Sequence, residues 1–185
     1  MAVRVAGIVG SLREGSLNKG LLHAAVELAP AGMEISVYTR LGDIPPYNDD
    51  VFQKGDPQTV ADFKGFISGA DAMLISTPEY NYGVPGVLKN AIDWASRPAG
   101  KSVLNRKPAA IMGCSPGLGG TIRAQHAIRQ SFVFTETYAM LQPEIKVPSA
   151  APLFDASGKL TDETTRQYVR KFLEAFAAWI ARLKD

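Results

Sequence analysis

The chain has 185 residues, enough for one domain with a sizeable core and short for two. Its net charge of +2, from 20 basic and 18 acidic residues interspersed without a basic block, argues against nucleic acid as a partner. The single cysteine, Cys114, excludes an internal disulfide and a paired-cysteine metal site, and no apolar run reaches the roughly 20 residues that span a bilayer.

The chain opens on an apolar run, Val3–Val9, that reads as a buried strand. No charged leader region precedes it, so the expected location is cytoplasmic. Leu17, Leu21, Ala25 and Leu28 then recur at steps of three and four, predicting a helix from about Asn18 to Leu28. Glu34–Tyr38 alternates as a second strand, and the proline-bearing stretch Gly42–Pro57 reads as a long surface loop. Val60, Phe63, Phe66 and Ile67 mark a second helix, and Ala72–Ser76 a third strand. Pro85–Trp94 opens on a proline suited to a first helical turn. Ala109–Gly113 is the fourth strand, Thr121 to about Phe134 a further helix, and Tyr138–Leu141 a weaker fifth strand. After a proline- and glycine-bearing loop, Val147–Gly158, comes the last helix. Thr161 is its expected cap, with Asp162 and Glu163 at its positive end, and Arg182 and Lys184 at its negative end. Its apolar stripe runs through Val169, Phe172, Leu173, Phe176, Ile180 and Leu183.

This alternation implies a parallel sheet with helices on both faces, and ligands in such sheets sit beyond the carboxyl ends of the strands. The loops 10–17, 77–84 and 114–120 should therefore meet. In the first, Gly10-Ser11-Leu12-Arg13-Glu14-Gly15-Ser16-Leu17-Asn18, a strand passes through hydroxyls and glycines into a helix start. Free backbone N–H groups and the helix dipole favour an anion there, and Arg13 adds a charge that pairs with phosphate oxygens. Ser16 stands where a triphosphate-binding loop needs lysine, and the dinucleotide fingerprint is absent, so the loop suits a phosphate monoester. The alternative is that serine, glycine and asparagine only cap the helix.

The second loop, Thr77-Pro78-Glu79-Tyr80-Asn81-Tyr82-Gly83-Val84-Pro85-Gly86, crowds two tyrosines into one turn. Either a planar heteroaromatic ligand uses them, or they pack on neighbouring helices or a partner subunit. The third, Gly113-Cys114-Ser115-Pro116-Gly117-Leu118-Gly119-Gly120, holds four glycines in eight residues. These permit close backbone approach to a ligand or a flexible connection.

These segments, with Pro85-Gly86-Val87-Leu88-Lys89-Asn90-Ala91-Ile92-Asp93-Trp94, resemble the NADPH-dependent FMN reductase family of flavodoxin-like proteins, in particular its bacterial quinone and chromate reductase branch. The resemblance runs in order from about residue 3 to about residue 145. It implies one domain over 1–185, a doubly wound five-stranded parallel sheet of order 2-1-3-4-5, and FMN bound noncovalently. By residue, it implies a phosphate site at Ser11, Arg13, Ser16, Leu17 and Asn18. It implies an isoalloxazine site at Pro78, Glu79, Tyr80, Asn81 and Tyr82, and a third contact at Ser115. The implied activity passes electrons from NADPH or NADH, by a ping-pong mechanism, to quinones, flavin, chromate or similar small acceptors. No side chain is assigned as nucleophile or base and no metal is expected. A flavodoxin-type electron carrier is the rival reading, and the absence of strong acidity counts against it.

The resemblance also implies a homodimer or homotetramer. Trp94 and Tyr82 are expected to supply apolar area beside the ligand site that a monomer would leave exposed. Cys114 reads as a packed residue more readily than a reactive thiol. Lys89 and Asp93 are spaced to pair along one helix, Glu79 suits a turn-forming hydrogen bond, and His23 has no second ligand for a metal. His126, Arg123 and Arg129, with Glu144, form either a charged subunit contact or a solvated face.

Overall fold

The computed structural model describes residues 2–183. Six strands and six helices follow in the order β1 (Val3–Val9), α1 (Leu17–Glu27), β2 (Met33–Tyr38), α2 (Asp49–Phe52), α3 (Gln58–Ser68), β3 (Ala72–Ser76), α4 (Gly86–Ala95), β4 (Pro108–Cys114), α5 (Ile122–Thr135), β5 (Tyr138–Ala139), β6 (Ile145–Val147) and α6 (Glu163–Arg182). All strand pairs are parallel, in the order β2-β1-β3-β4-β5, with β6 also on β4.

The chain runs from β1 to β2 on one side and returns to β3 on the other, so the strand order reverses between β1 and β3. That reversal opens a crevice at the carboxyl edge of the sheet. Successive side chains of a strand point to opposite faces, and the core divides accordingly. Val5, Val9, Leu74 and Met112 pack with α1 and α6, including Leu21, Phe172 and Phe176. Ile8, Met73, Ile75 and Ile111 pack with α3, α4 and α5, including Phe63, Trp94 and Phe132.

Three local expectations change. The fifth strand is split: Tyr138 and Ala139 pair with the start of β4, and Ile145–Val147 with its end at Met112–Cys114. The tripeptide of β6 is too short to show a period, so it reads as loop. The stretch after β2 holds the one-turn α2, whose Asn48 accepts a hydrogen bond from the Asp50 N–H at 2.8 Å. The cap of α6 is Asp162, accepting from the Thr165 N–H at 2.7 Å, rather than Thr161, whose hydroxyl turns back to the Leu153 carbonyl. Lys184, expected beside the end of that helix, lies outside the described residues.

Trp94 overturns a further expectation. Its ring is 0 % exposed, its Nε1 donates to the Pro45 carbonyl at 2.8 Å, and the Tyr47 ring meets it edge-on at 5.0 Å. One turn earlier Asn90 accepts from the Tyr47 N–H at 2.7 Å and donates to the Pro45 carbonyl at 2.9 Å. The indole therefore anchors the 44–47 segment on α4 and offers no apolar surface to a partner. Among the described residues, no helix is long and apolar enough to cross a membrane.

Candidate flavin site

Asn18 brings the site together. Its side chain is buried and works in both directions: Nδ2 donates to the Cys114 carbonyl at 2.9 Å, and Oδ1 accepts from the Cys114 N–H at 3.0 Å. Ser76 donates its hydroxyl to the Asn18 carbonyl at 2.9 Å. The start of α1 is thereby tied to the ends of β3 and β4, and the side chain of Asn18 is consumed by the fold. Gly113 lets β4 lie against the residue after β3 and the start of α5, because a Cβ there would lie 2.3 Å from both the Thr121 hydroxyl and the Thr77 carbonyl.

With that amide engaged, the first turn of α1 is left uncapped. Ser16 occupies the cap position and its side chain accepts nothing from the helix. Among the described residues, the Leu17 and Asn18 N–H groups have no acceptor, and Arg13 makes no hydrogen bond or ion pair. Plain capping is thus absent, and the loop presents unused donors at the positive end of a helix.

A cavity of about 430 Å³ opens at these donors, lined by Ser11, Arg13, Ser16, Leu17 and Asn18 from the first loop. Pro78, Glu79 and Tyr80 line it from the second, and Ser115 from the third. Nine of the eleven expected site residues meet there. Asn81 and Tyr82 line an adjoining cavity of about 460 Å³, together with Glu79, Ser115, Gly119 and Arg123. The Tyr80 hydroxyl lies 3.3 Å from the Ser11 hydroxyl, spanning the first and second loops.

Asn81 and Tyr82 form a two-residue hairpin turn, with reciprocal backbone hydrogen bonds between Tyr80 and Gly83 and φ values of 49° and 64°. Both central residues of such a turn need positive φ, which is uncommon for tyrosine. The backbone thus holds Tyr82 in a left-handed conformation, 74 % exposed, with the Arg123 guanidinium 4.0 Å above its ring. Such a cation–π contact offsets part of the conformational cost.

Glu79 does not make the turn-forming hydrogen bond expected of it; backbone bonds close that turn, and its carboxylate reaches α5 instead. Its Oε2 accepts from the Arg123 and Ala124 N–H groups at 2.8 and 3.1 Å, and its Oε1 meets Arg123 Nη1 at 3.2 Å. It caps α5 from another loop, satisfying donors that Thr121 leaves open. Arg123 was not among the expected site residues. A cation in the first turn of a helix is unfavourable by itself, and that was the clue to a carboxylate partner nearby.

Burial pushes the Cys114 thiol up to about 12, so the thiolate form is suppressed at neutral pH. Around His126, Glu144 stays close enough to Arg129 and His126 for their charge to help lower its carboxyl, after the larger effect of its hydrogen bond with Lys146. Arg129 donates to the Met140 carbonyl at 2.8 Å, Glu144 pairs with Lys146, and Arg123 joins the site. Lys89 and Asp93 pair as their spacing implies, at 2.6 Å.

The family is decided by comparison with known proteins. Residues 3–152 match the model of the NADPH-dependent FMN reductase family. The chain belongs to that family. It is an NAD(P)H-dependent oxidoreductase with FMN as cofactor. An NAD(P)H-dependent FMN reductase of Pseudomonas aeruginosa is 46 % identical over 98 % of this chain and 97 % of its own length. A 2-hydroxy-1,4-benzoquinone reductase of a Burkholderia species is 43 % identical over 97 % of both. Among solved structures, the flavoenzyme FerB, an NAD(P)H:(acceptor) oxidoreductase from Paracoccus denitrificans, superposes with a TM-score of 0.88 at 40 % identity, covering 98 % of each chain.

Native protein of this family member should resist a thiol reagent at pH 8, whereas denatured protein should take up one equivalent at Cys114. The raised thiol also makes stability fall as pH climbs above about 9, where the unfolded thiol ionises and the folded one does not, a loss that continues up to about 12. Rapid labelling of the native thiol would contradict this burial.

Proposed function

We propose that FMN lies across the three loops, and that the chain works as one domain reducing quinones, free flavin, chromate or similar small acceptors. The observation that carries the placement is the uncapped first turn of α1 beside an unpaired Arg13, both opening on the cavity that the other two loops line. A phosphate monoester fits these donors: Arg13 with the Ser11, Ser16, Leu17 and Asn18 segment would hold it, Asn18 through its backbone. Pro78, Glu79, Tyr80, Asn81 and Tyr82, with Ser115, would hold the ring, Glu79 through its backbone because its carboxylate is committed to α5.

Bound there, FMN supplies two-electron transfer between a reduced nicotinamide and an acceptor. The chain's own groups position and shield. Asn18 fixes the first loop against the third, and Glu79 fixes the second loop against α5. Among the described residues, Glu79 is the one carboxylate in the cavity wall, and both of its oxygens are engaged. The quinone and flavin substrates of the relatives fit such a cavity. A cytoplasmic setting, where reduced nicotinamides are available, suits this reading.

Arg13→Ala should weaken FMN binding by about 1.5–3 kcal/mol, the range of a charge-assisted contact, while flavin-saturated turnover changes little. Fluorescence titration of flavin-stripped protein measures this; an unchanged affinity would move the phosphate elsewhere.

The three loops frame one opening, so donor and acceptor should occupy it in turn. Double-reciprocal plots at several acceptor concentrations should then be parallel, and intersecting lines would show both substrates bound together.

Assembly as a homodimer or homotetramer belongs to the same reading, although the apolar area is not where the sequence suggests. Leu118 is 90 % exposed beside the site, Val133 and Phe134 are exposed at the end of α5, and Leu141 is exposed between β5 and β6. Light scattering should give at least twice the 19.9 kDa chain mass, and a fully active monomer would exclude a shared site.

A further inference from the structure

The tip of the second loop carries an aromatic side chain with a single anchor. The Asn81–Tyr82 turn holds the backbone of Tyr82 at φ 64°, which sets where its ring starts but not where it points. Among the described residues, the Tyr82 side chain has one partner, the Arg123 guanidinium 4.0 Å above its ring. Arg123 covers one face of that ring, and with the residue 74 % exposed the other face is open. Tyr82 borders the cavity of about 460 Å³ that adjoins the flavin cavity, and Glu79 and Ser115 line both.

Arg123 is itself fixed. Its N–H and its Nη1 donate to the Glu79 carboxylate at 2.8 and 3.2 Å, and that carboxylate is nearly buried while the Arg123 side chain is half exposed. A Cβ on Gly119 would lie 3.4 Å from Nη1, so the third loop passes against the same guanidinium. The cation thus stands between the second and third loops with its charge balanced by Glu79. It holds no spare charge for an anion; what it supplies is a fixed place for an aromatic ring. An open aromatic face beside a cavity is a stacking surface for another planar ring. The rest of this wall is Leu118 and the backbone of glycines 117, 119 and 120, which adds little polar competition. Of the two reactants that meet the flavin, the acceptor depends more on such a surface. A nicotinamide arrives attached to a dinucleotide whose phosphates and adenosine also bind, whereas a small quinone has little but its ring.

We infer that the adjoining cavity is the acceptor subsite, that an aromatic acceptor stacks on the Tyr82 ring there, and that Arg123 is the positioning residue that holds this ring in place. The inference rests on the flavin placement argued above. It leaves the backbone of the Asn81–Tyr82 turn to the flavin and gives the Tyr82 ring to the acceptor. Arg123 moves no proton or electron and acts only through Tyr82.

The FMN-loaded enzyme is compared with Arg123→Met, Tyr82→Leu and the double variant. Steady-state rates give kcat and the KM values for 1,4-naphthoquinone and NADPH. Titration of the oxidised holoenzyme, which has no electrons to pass on, gives the Kd for the same quinone. Each single variant should raise the quinone KM and Kd about three- to tenfold, the range of one aromatic contact, and Arg123→Met should hold kcat and the NADPH KM within about twofold. The double variant should be no worse than the weaker single, because both changes remove the same contact. Quinone constants that stay within about twofold in Arg123→Met overturn the inference, as do losses that add in the double variant. A fall in kcat with the quinone KM unmoved, or an NADPH KM raised as far as that of the quinone, also overturns it. Arg123→Gln, read in the same way, takes the place of Arg123→Met if the latter does not fold. If Arg13→Ala leaves FMN affinity unchanged, the flavin placement fails first; the acceptor subsite fails alone when Arg13→Ala loosens FMN and the quinone constants of Arg123→Met do not move.

Discussion

The site depends on one buried amide. Asn18 must saturate both backbone groups of Cys114 at the end of β4, and this demand sets the distance between the first and third loops. Leaving a buried backbone N–H or C=O without a partner costs about 1–3 kcal/mol each, so the two hydrogen bonds act as a clamp. Ser76 extends the clamp to β3 through the Asn18 carbonyl. The first turn of α1 keeps its free donors because Ser16, at the cap position, accepts nothing from the helix.

Around this clamp, charge is placed at two helix starts in opposite ways. At α1 the positive end is left without a carboxylate in its first turn, and Arg13 stands beside it. At α5 the positive end is capped by Glu79 from a different loop. A helix start that is to receive an anion must stay open, whereas one that only supports a loop is better neutralised from within the chain. Glu79 also ties the Asn81–Tyr82 turn to α5 through Arg123, which both pairs with the carboxylate and covers the Tyr82 ring. The second loop is held at its base and presents an aromatic at its tip.

The motif Pro85–Trp94 has its place in this frame. Asn90 and Trp94, one turn apart on α4, both bond the Pro45 carbonyl, and so fix the segment that follows β2. Trp94 is large and apolar, features that suit an interface as well as a core, and only its surroundings show that it belongs to the core. Tyr82, four residues before the start of α4, has the opposite fate: its backbone turn holds it out in solvent.

Periodicity alone determined the alternation of strands and helices, because the side-chain repeats of 2.0 and 3.6 residues are local properties. With the rule that ligands sit beyond parallel strand ends, it also determined which three loops meet. Composition determined that Cys114 has no disulfide partner within the chain. Tertiary structure decided what each polar side chain does: Asn18 and Glu79 look like ligand groups in sequence and are spent on Cys114 and α5, both far along the chain. It also decided that the fifth strand is split and that Trp94 is buried. Hydrogen-bond partners and burial are set by groups 44 to 96 residues apart, and no local pattern records a contact over that separation.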